Sequence, residues 1–279
     1  MAKRSTGWTE NKIAQYQKDG RGQGDFGGYL PWLNIQDVPS EGRSHRPKGW
    51  KTHRIHQFLS DLELNYFYHL EWIDDVLDIR EQFPILNREE TILIAEEKGI
   101  KHPVDNKTGV PIVMTTDFLI TIRQSGQIKY LARSIKYDTD LHDIRTLEKL
   151  EIEREYWVRQ DVNWALVTDK ELEDRFFQNM NIFHPAYFPK NNEILSYTKQ
   201  LFQFLDAADG PLSKELLLFD GELGLEKGTA LALFKHLVAK KEIGFKMNEI
   251  EFHPRIGLNR FEYPALKPVL NFHVGREAN

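Results

Sequence analysis

From Thr115 to Asp138 the chain carries two β-rich runs, TTDFLITIR (115–123) and IKYLARSIKYD (128–138), joined by Gln124-Ser125-Gly126-Gln127. Runs of this length around a short Ser-Gly link predict an antiparallel hairpin. The neighbouring segments must pack on it. Downstream, RTLEKLEIEREYWVRQ (145–160) sets Leu147, Leu150, Ile152 and Trp157 at helical spacing, and NWALVTDKEL (163–172) opens as a buried strand. Upstream, Phe58, Leu59, Leu62, Leu64, Phe67 and Leu70 recur mostly at i+3 and i+4, the pattern of an amphipathic helix. VLDIREQFP (76–84) reads as a short strand stopped by Pro84, and residues 87–111 as a charged helix followed by a turn-rich loop. This order predicts an α/β unit: a mixed sheet flanked by helices on both faces.

The two ends of the chain read differently. Residues 1–50 are glycine-rich and hold isolated aromatic anchors, Tyr29, Trp32 and Trp50, which predicts an extended arm with little regular structure. After the turn-rich HPAYFPKNNE, helices are expected at 196–208, 212–223 and 226–241, and IGFKMNEIEFH (243–253) alternates like a small hairpin. Three helices followed by a hairpin is the winged-helix order. At 279 residues a division into two domains and a leader is expected: an arm over 1–54, a catalytic unit over 55–180 and a winged-helix-like α+β unit over 181–279.

Composition narrows the chemistry. There is no cysteine, which excludes disulfides, thiolate zinc sites and a cysteine nucleophile. No apolar stretch approaches the ~18 residues of a membrane span, and MAKRSTGWTENK has no apolar signal region, so no membrane role and an intracellular protein are expected. The net charge is −5, yet residues 1–56 carry ten Lys/Arg against five acids. A basic arm ahead of an acidic body suits phosphate contacts. Its densest part is Arg43, His45, Arg46 and Lys48, just ahead of the first long helix.

Three charged residues sit on regular elements: Glu63 among the apolar positions of that helix, Asp117 opening one hairpin strand, and Lys136 closing the other. Antiparallel pairing brings Asp117 and Lys136 to one end of the sheet. Ser134 shares a face with Lys136. Carboxylates near a lysine are what phosphodiester hydrolysis requires. Oxygens hold Mg²⁺, the ion polarises the phosphate and acidifies water, and an ammonium neutralises developing charge.

The segments RGQG, YLPWL, DVPSEGRSHR, LSDLEL, LEW, VLDIREQFP, TTDF and RTLEKLEIEREYW, in this order over roughly residues 10–170, resemble the TnsA family. TnsA proteins are endonuclease subunits of heteromeric, Tn7-like cut-and-paste transposases. The resemblance implies a restriction-endonuclease-like core with a winged-helix-like C-terminal domain. It implies Mg²⁺, with Mn²⁺ as a substitute, and cleavage at the 5′ ends of the transposon. The implied partners are transposon-end DNA, the TnsB transposase, and the TnsC ATPase through the C-terminal region. The implied location is the bacterial cytoplasm, at the nucleoid during transposition. Carried over residue by residue, Glu63, Asp117 and Lys136 are catalytic, and Glu63, Asp117 and the Ile135 carbonyl bind metal. At position 134 the family commonly has Gln, and here it is Ser.

That departure keeps a second reading open: a catalytically weakened, DNA-binding assembly subunit that recruits TnsB and TnsC. A stand-alone restriction or repair nuclease fits less well with the arm and VLDIREQFP. Glu153 on the following helix reads as a solvated face, with an outer-shell role as the alternative. His53 and His56 lack a third ligand and are expected at phosphate or at the surface. GRGQG (20–24) lacks the strand and lysine of a phosphate loop. Lys227, Lys235, Lys240 and Lys241 decorate a helix that mainly supplies core.

Overall fold

The computed structural model describes residues 7–37 and 43–263. The chain divides into two compact units, Met1–Glu173 and Asp174–Asn279.

The first unit opens with a helix, α1 (Glu10–Lys18), where the glycine-rich composition predicts an irregular arm. The signal was local. Thr9 caps the helix by accepting from the Lys12 N–H (3.2 Å), and Ile13 and Tyr16, three apart, bury against Trp32 and Val113. Beyond α1 the arm is irregular but pinned. Gly22, at φ +76°, lies so close to Pro84 that a Cβ would stand 2.2 Å from the proline ring. The Tyr29 hydroxyl donates to the Glu81 carbonyl (3.0 Å), and the Trp32 N–H to the Gln82 carbonyl (3.2 Å).

After the arm come α2 (Asp61–Trp72), β1 (Val76–Pro84), α3 (Arg88–Glu97), β2 (Thr115–Gln124), β3 (Gln127–Lys136), α4 (Ile144–Arg159) and β4 (Asn163–Thr168). The sheet order is β1-β2-β3-β4; the first three strands are antiparallel, and β4 runs parallel to β3. This is the mixed sheet that the hairpin, helix and strand predict. The hairpin turns on Ser125 and Gly126, both at positive φ (51° and 78°), as a two-residue turn matched to strand twist requires. Ile85, Ile94, Ala95, Leu119, Ala132, Ile152 and Trp157 form one core, drawn from the strands and from α3 and α4. Phe58, Phe67 of α2 and Phe118 of β2 pack with tilted rings, centroids 4.8 and 5.6 Å apart. They anchor α2 to the sheet.

The second unit holds α5 (Asp174–Phe183), α6 (Thr198–Ala207), α7 (Leu212–Glu222), α8 (Thr229–Ala239) and a short antiparallel pair, β5 (Gly244–Phe245) with β6 (Phe261–Glu262). α5 belongs here because Phe183 packs on Phe245 and Phe252. The hairpin expected within 243–253 is absent: β5 pairs with residues 261–262 instead. The reason is Asn179, fully buried on α5. Its amide donates to the Met247 and Ile250 carbonyls and accepts from the Phe252 N–H, latching 247–252 as a loop. The alternation in the sequence records the burial of Met247 and Phe252, not strand pairing.

Candidate active site

Asp117 lies where the β2–β3 ladder stops. Phe118 and Arg133 are its last pair, and beyond them the Ile135 N–H donates to Asp117 Oδ2 (2.7 Å). The side chain thus takes the place of a ladder acceptor. Lys136 Nζ donates to the same oxygen (2.8 Å) and to the Ile135 carbonyl (2.9 Å). One ammonium joins a carboxylate and a main-chain oxygen.

Glu63 comes from α2. Ser60 caps that helix by accepting from the Glu63 N–H (3.1 Å), and its hydroxyl donates back to Glu63 Oε1 (3.1 Å). The Leu59 N–H donates to Glu63 Oε2 (3.1 Å). This is the geometry of a capping acid, except that the carboxylate is buried. Burial, and then the negative charge of Asp117, push its pKa up to about 7. Burial works against the Lys136 charge, but Asp117, with Glu153 and Glu63 behind it, outweighs burial and holds the ammonium above the usual lysine value.

Glu153 of α4 is not on a solvated face; it is buried beneath β3. The Ser134 hydroxyl donates to its Oε1 (2.5 Å), and so does the Trp164 indole N–H (3.2 Å). Burial and Asp117 raise this carboxyl to about 7 as well. The charged neighbours hid it: on a helix that also carries Glu148, Glu151 and Glu155, one more acid reads as solvated. Its position between Leu150 and Trp157 was the available signal.

Two carboxylates and a main-chain carbonyl are hard oxygen donors of the kind Mg²⁺ takes. The ammonium bridging two of these oxygens shows that a cation fits between them. Among the described residues no group of three or more His, Cys, Asp or Glu side chains could hold a metal by itself. The set assembled here includes a backbone carbonyl, and its aspartate carries the lysine.

Residues 74–169 match the TnsA-like endonuclease N-terminal family and residues 171–247 the TnsA endonuclease C-terminal family. The transposon Tn7 transposition protein TnsA of Escherichia coli is 41% identical over 249 residues, covering 88% of this chain and 90% of that protein. The chain belongs to the TnsA endonuclease family. The N-terminal TnsA match runs from before β1 to the end of β4, so it contains Asp117, Ile135 and Lys136, while Glu63 precedes it. As a TnsA homologue it is related to an endonuclease subunit of a Tn7-type transposase. Among the described residues no helix is long and apolar enough to cross a membrane.

The other sequence candidates separate in this TnsA-family fold. Arg43, Arg46 and Lys48 are exposed. They lie on a segment paired antiparallel to the approach to α2, through His45 with Phe58 and Lys48 with Ile55. The His45 ring contacts Asp61 Oδ1 (2.6 Å). His56 is not at the surface: it is fully buried, with Nδ1 on Glu81 (2.8 Å) and Nε2 on the Thr52 hydroxyl (2.7 Å). Lys235 and Lys240 lie on or next to α8, whose Ala230, Leu233, Phe234 and Leu237 are buried.

Proposed function

We propose that this chain is the DNA endonuclease subunit of a Tn7-like transposase, hydrolysing the phosphodiester at the 5′ ends of the transposon with Mg²⁺, or Mn²⁺ in its place. The observation that carries this reading is the Lys136 ammonium shared by Asp117 and the Ile135 carbonyl, beside a second carboxylate, Glu63, whose pKa burial and Asp117 push up. Glu63, Asp117 and the Ile135 carbonyl would hold the ion, which supplies Lewis acidity to the phosphodiester and favours ionisation of water. As a ligand Glu63 would be ionised, releasing its proton to solvent, and its raised pKa would make that ionisation depend on positive charge nearby. Lys136, oriented by Asp117, directs the attacking water and neutralises charge on the phosphoryl oxygens in the transition state. Glu153 stays behind β3 and fixes Ser134. Arg43, His45, Arg46 and Lys48 would meet transposon-end phosphates. TnsB would cut the other strand, and TnsC would contact the C-terminal unit.

One observation favours a second reading. The Ser134 hydroxyl is spent on Glu153, so this position presents no amide to the ion; an assembly subunit with weakened cleavage would look the same. Cleavage of labelled transposon-end DNA with purified TnsB and TnsC present separates the two. Nicking at the 5′ ends by the wild type and none by Asp117→Ala supports the endonuclease. Equal, absent nicking by both, with assembly intact, supports the assembly subunit.

A further inference from the structure

Gln82 sits within β1 with φ at +48°. Among the described residues it is the one non-glycine residue of a strand held in the left-handed region; the others at positive φ lie in turns, loops or a short 3₁₀ segment. Such a conformation disfavours a side chain, and non-glycine residues kept there cluster at functional sites. The neighbours Glu81 and Phe83 pair with Phe118 and Thr116, which sets Gln82 opposite Asp117 across the β1–β2 ladder. Its side chain is buried, with the amide Nε2 3.5 Å from Glu63 Oε2. Its carbonyl accepts from the Trp32 N–H of the arm at 3.2 Å. One residue therefore lies across the ladder from Asp117 and within 3.5 Å of Glu63, and no step of the proposed chemistry uses it.

We propose that Gln82 is a positioning residue: its amide holds the Glu63 carboxylate toward Asp117, so that both can grip one divalent cation. This rests on the assignment of Glu63 and Asp117 as ligands. The left-handed backbone is what aims the amide. Were the site built only for a bend in β1, glycine would serve better, since it adopts positive φ without steric cost. Groups that orient a ligand are worth roughly 10–100-fold in metal affinity.

The test is Mn²⁺ binding by the full-length protein without DNA, read by electron paramagnetic resonance, with thermal melting in the same buffer. Gln82→Met keeps the length of the side chain and removes the amide; Gln82→Gly keeps the backbone conformation and removes the side chain. Both should bind Mn²⁺ about tenfold more weakly than the wild type, and the glycine variant keeps the test open if the methionine variant fails to fold. Wild-type affinity in Gln82→Gly would overturn the proposal and leave Gln82 as a bend. Asp117→Ala run alongside distinguishes the two levels. If it loses Mn²⁺ while Gln82→Gly does not, only the role of Gln82 falls. If Asp117→Ala itself binds as the wild type does, the cation site is wrongly placed and both fall.

Discussion

Two buried acids of the first unit, Glu81 on β1 and Glu63 on α2, show opposite electrostatics. Burial alone would raise both. For Glu81 the charge of His56 and the hydrogen bonds of Arg54 and His56 more than reverse it, and the carboxyl falls to about 2. Arg54 clasps both its oxygens, and the Gln57 N–H adds a third donor (3.1 Å). Glu63 receives weaker help and faces Asp117, a like charge, so burial prevails and its carboxyl rises to about 7. An acid that holds a structure together is surrounded by complementary charge. An acid proposed to take up a cation, as Glu63 is, would be left short of it.

The sharpest way to break this contrast is to remove members of the second group. Asp117→Asn and Lys136→Ala should each lower 5′ cleavage by about a thousandfold or more, since each removes several kcal/mol of transition-state stabilisation. Asp117→Asn should melt close to the wild type, because it relieves repulsion with Glu63 and Glu153, whereas Lys136→Ala leaves those acids without their cation and should melt lower at neutral pH. Glu63→Gln belongs with them and retains more of the helix cap than Glu63→Ala. Cleavage within tenfold of the wild type in any one would take that residue out of the site.

Removing the first group should act on folding instead. Glu81→Ala leaves Arg54 and His56 buried without their acid, which costs about 3 kcal/mol or more when one partner of a buried pair is lost. Urea unfolding at pH 7 measures it. A change below about 1 kcal/mol would mean that water or another carboxylate replaces Glu81, and the contrast with Glu63 would fail.

The two regions also differ in how far the sequence discloses them. The Asp117–Lys136 contact follows from local rules: period-two strands, a two-residue turn, and the antiparallel pairing they impose. Arg54, His56 and Glu81 are separated by a loop, a helix and most of a strand, and nothing periodic links them. Glu153 and Gln82 were hidden for other reasons. An acid on a charged helix resembles a solvated one until a neighbour such as Trp164 covers it, and a left-handed residue inside VLDIREQFP leaves no mark in the pattern. In the second unit, α6, α7 and α8 stand where helical periodicity puts them. The hairpin that the alternation of 243–253 predicts does not form, because Asn179, far away in sequence, decides the path of 247–252.

A smaller effect sharpens the comparison through pH. Glu63 and Glu153 bind protons more tightly folded, at about 7, than unfolded, near 4.5. Their stabilisation is full below about 4.5 and is lost as pH rises through about 7. Glu81 works the other way: its contribution is present above about 4.5 and is lost as pH falls toward 2. Metal-free protein should therefore lose stability between pH 5 and pH 8, and Glu153→Gln should shrink that loss by roughly 1–3 kcal/mol. Urea denaturation with EDTA at each pH tests this. Parallel wild-type and variant curves would show that Glu153 does not carry the proton.

The smallest expected effect lies in the arm, where charge is exposed and neither group of buried acids is touched. Arg43, Arg46 and Lys48 are exposed on the segment tied to the approach to α2, and the contact of His45 with Asp61 fixes it beside the helix that bears Glu63. The rest of the chain is acidic and repels DNA, so phosphate contacts should concentrate here. Neutralising all three to Gln should weaken binding of transposon-end DNA most at low salt, with the deficit shrinking as salt rises. If each side chain meets a phosphate, the slope of log affinity against log salt falls by about 0.9 per contact, roughly 2.7 in all. The opposing expectation is that this segment meets TnsB and the charge is incidental. The triple variant would then keep the wild-type slope on DNA alone and lose co-assembly with TnsB, and the contacts to transposon-end DNA would have to be sought elsewhere on the chain.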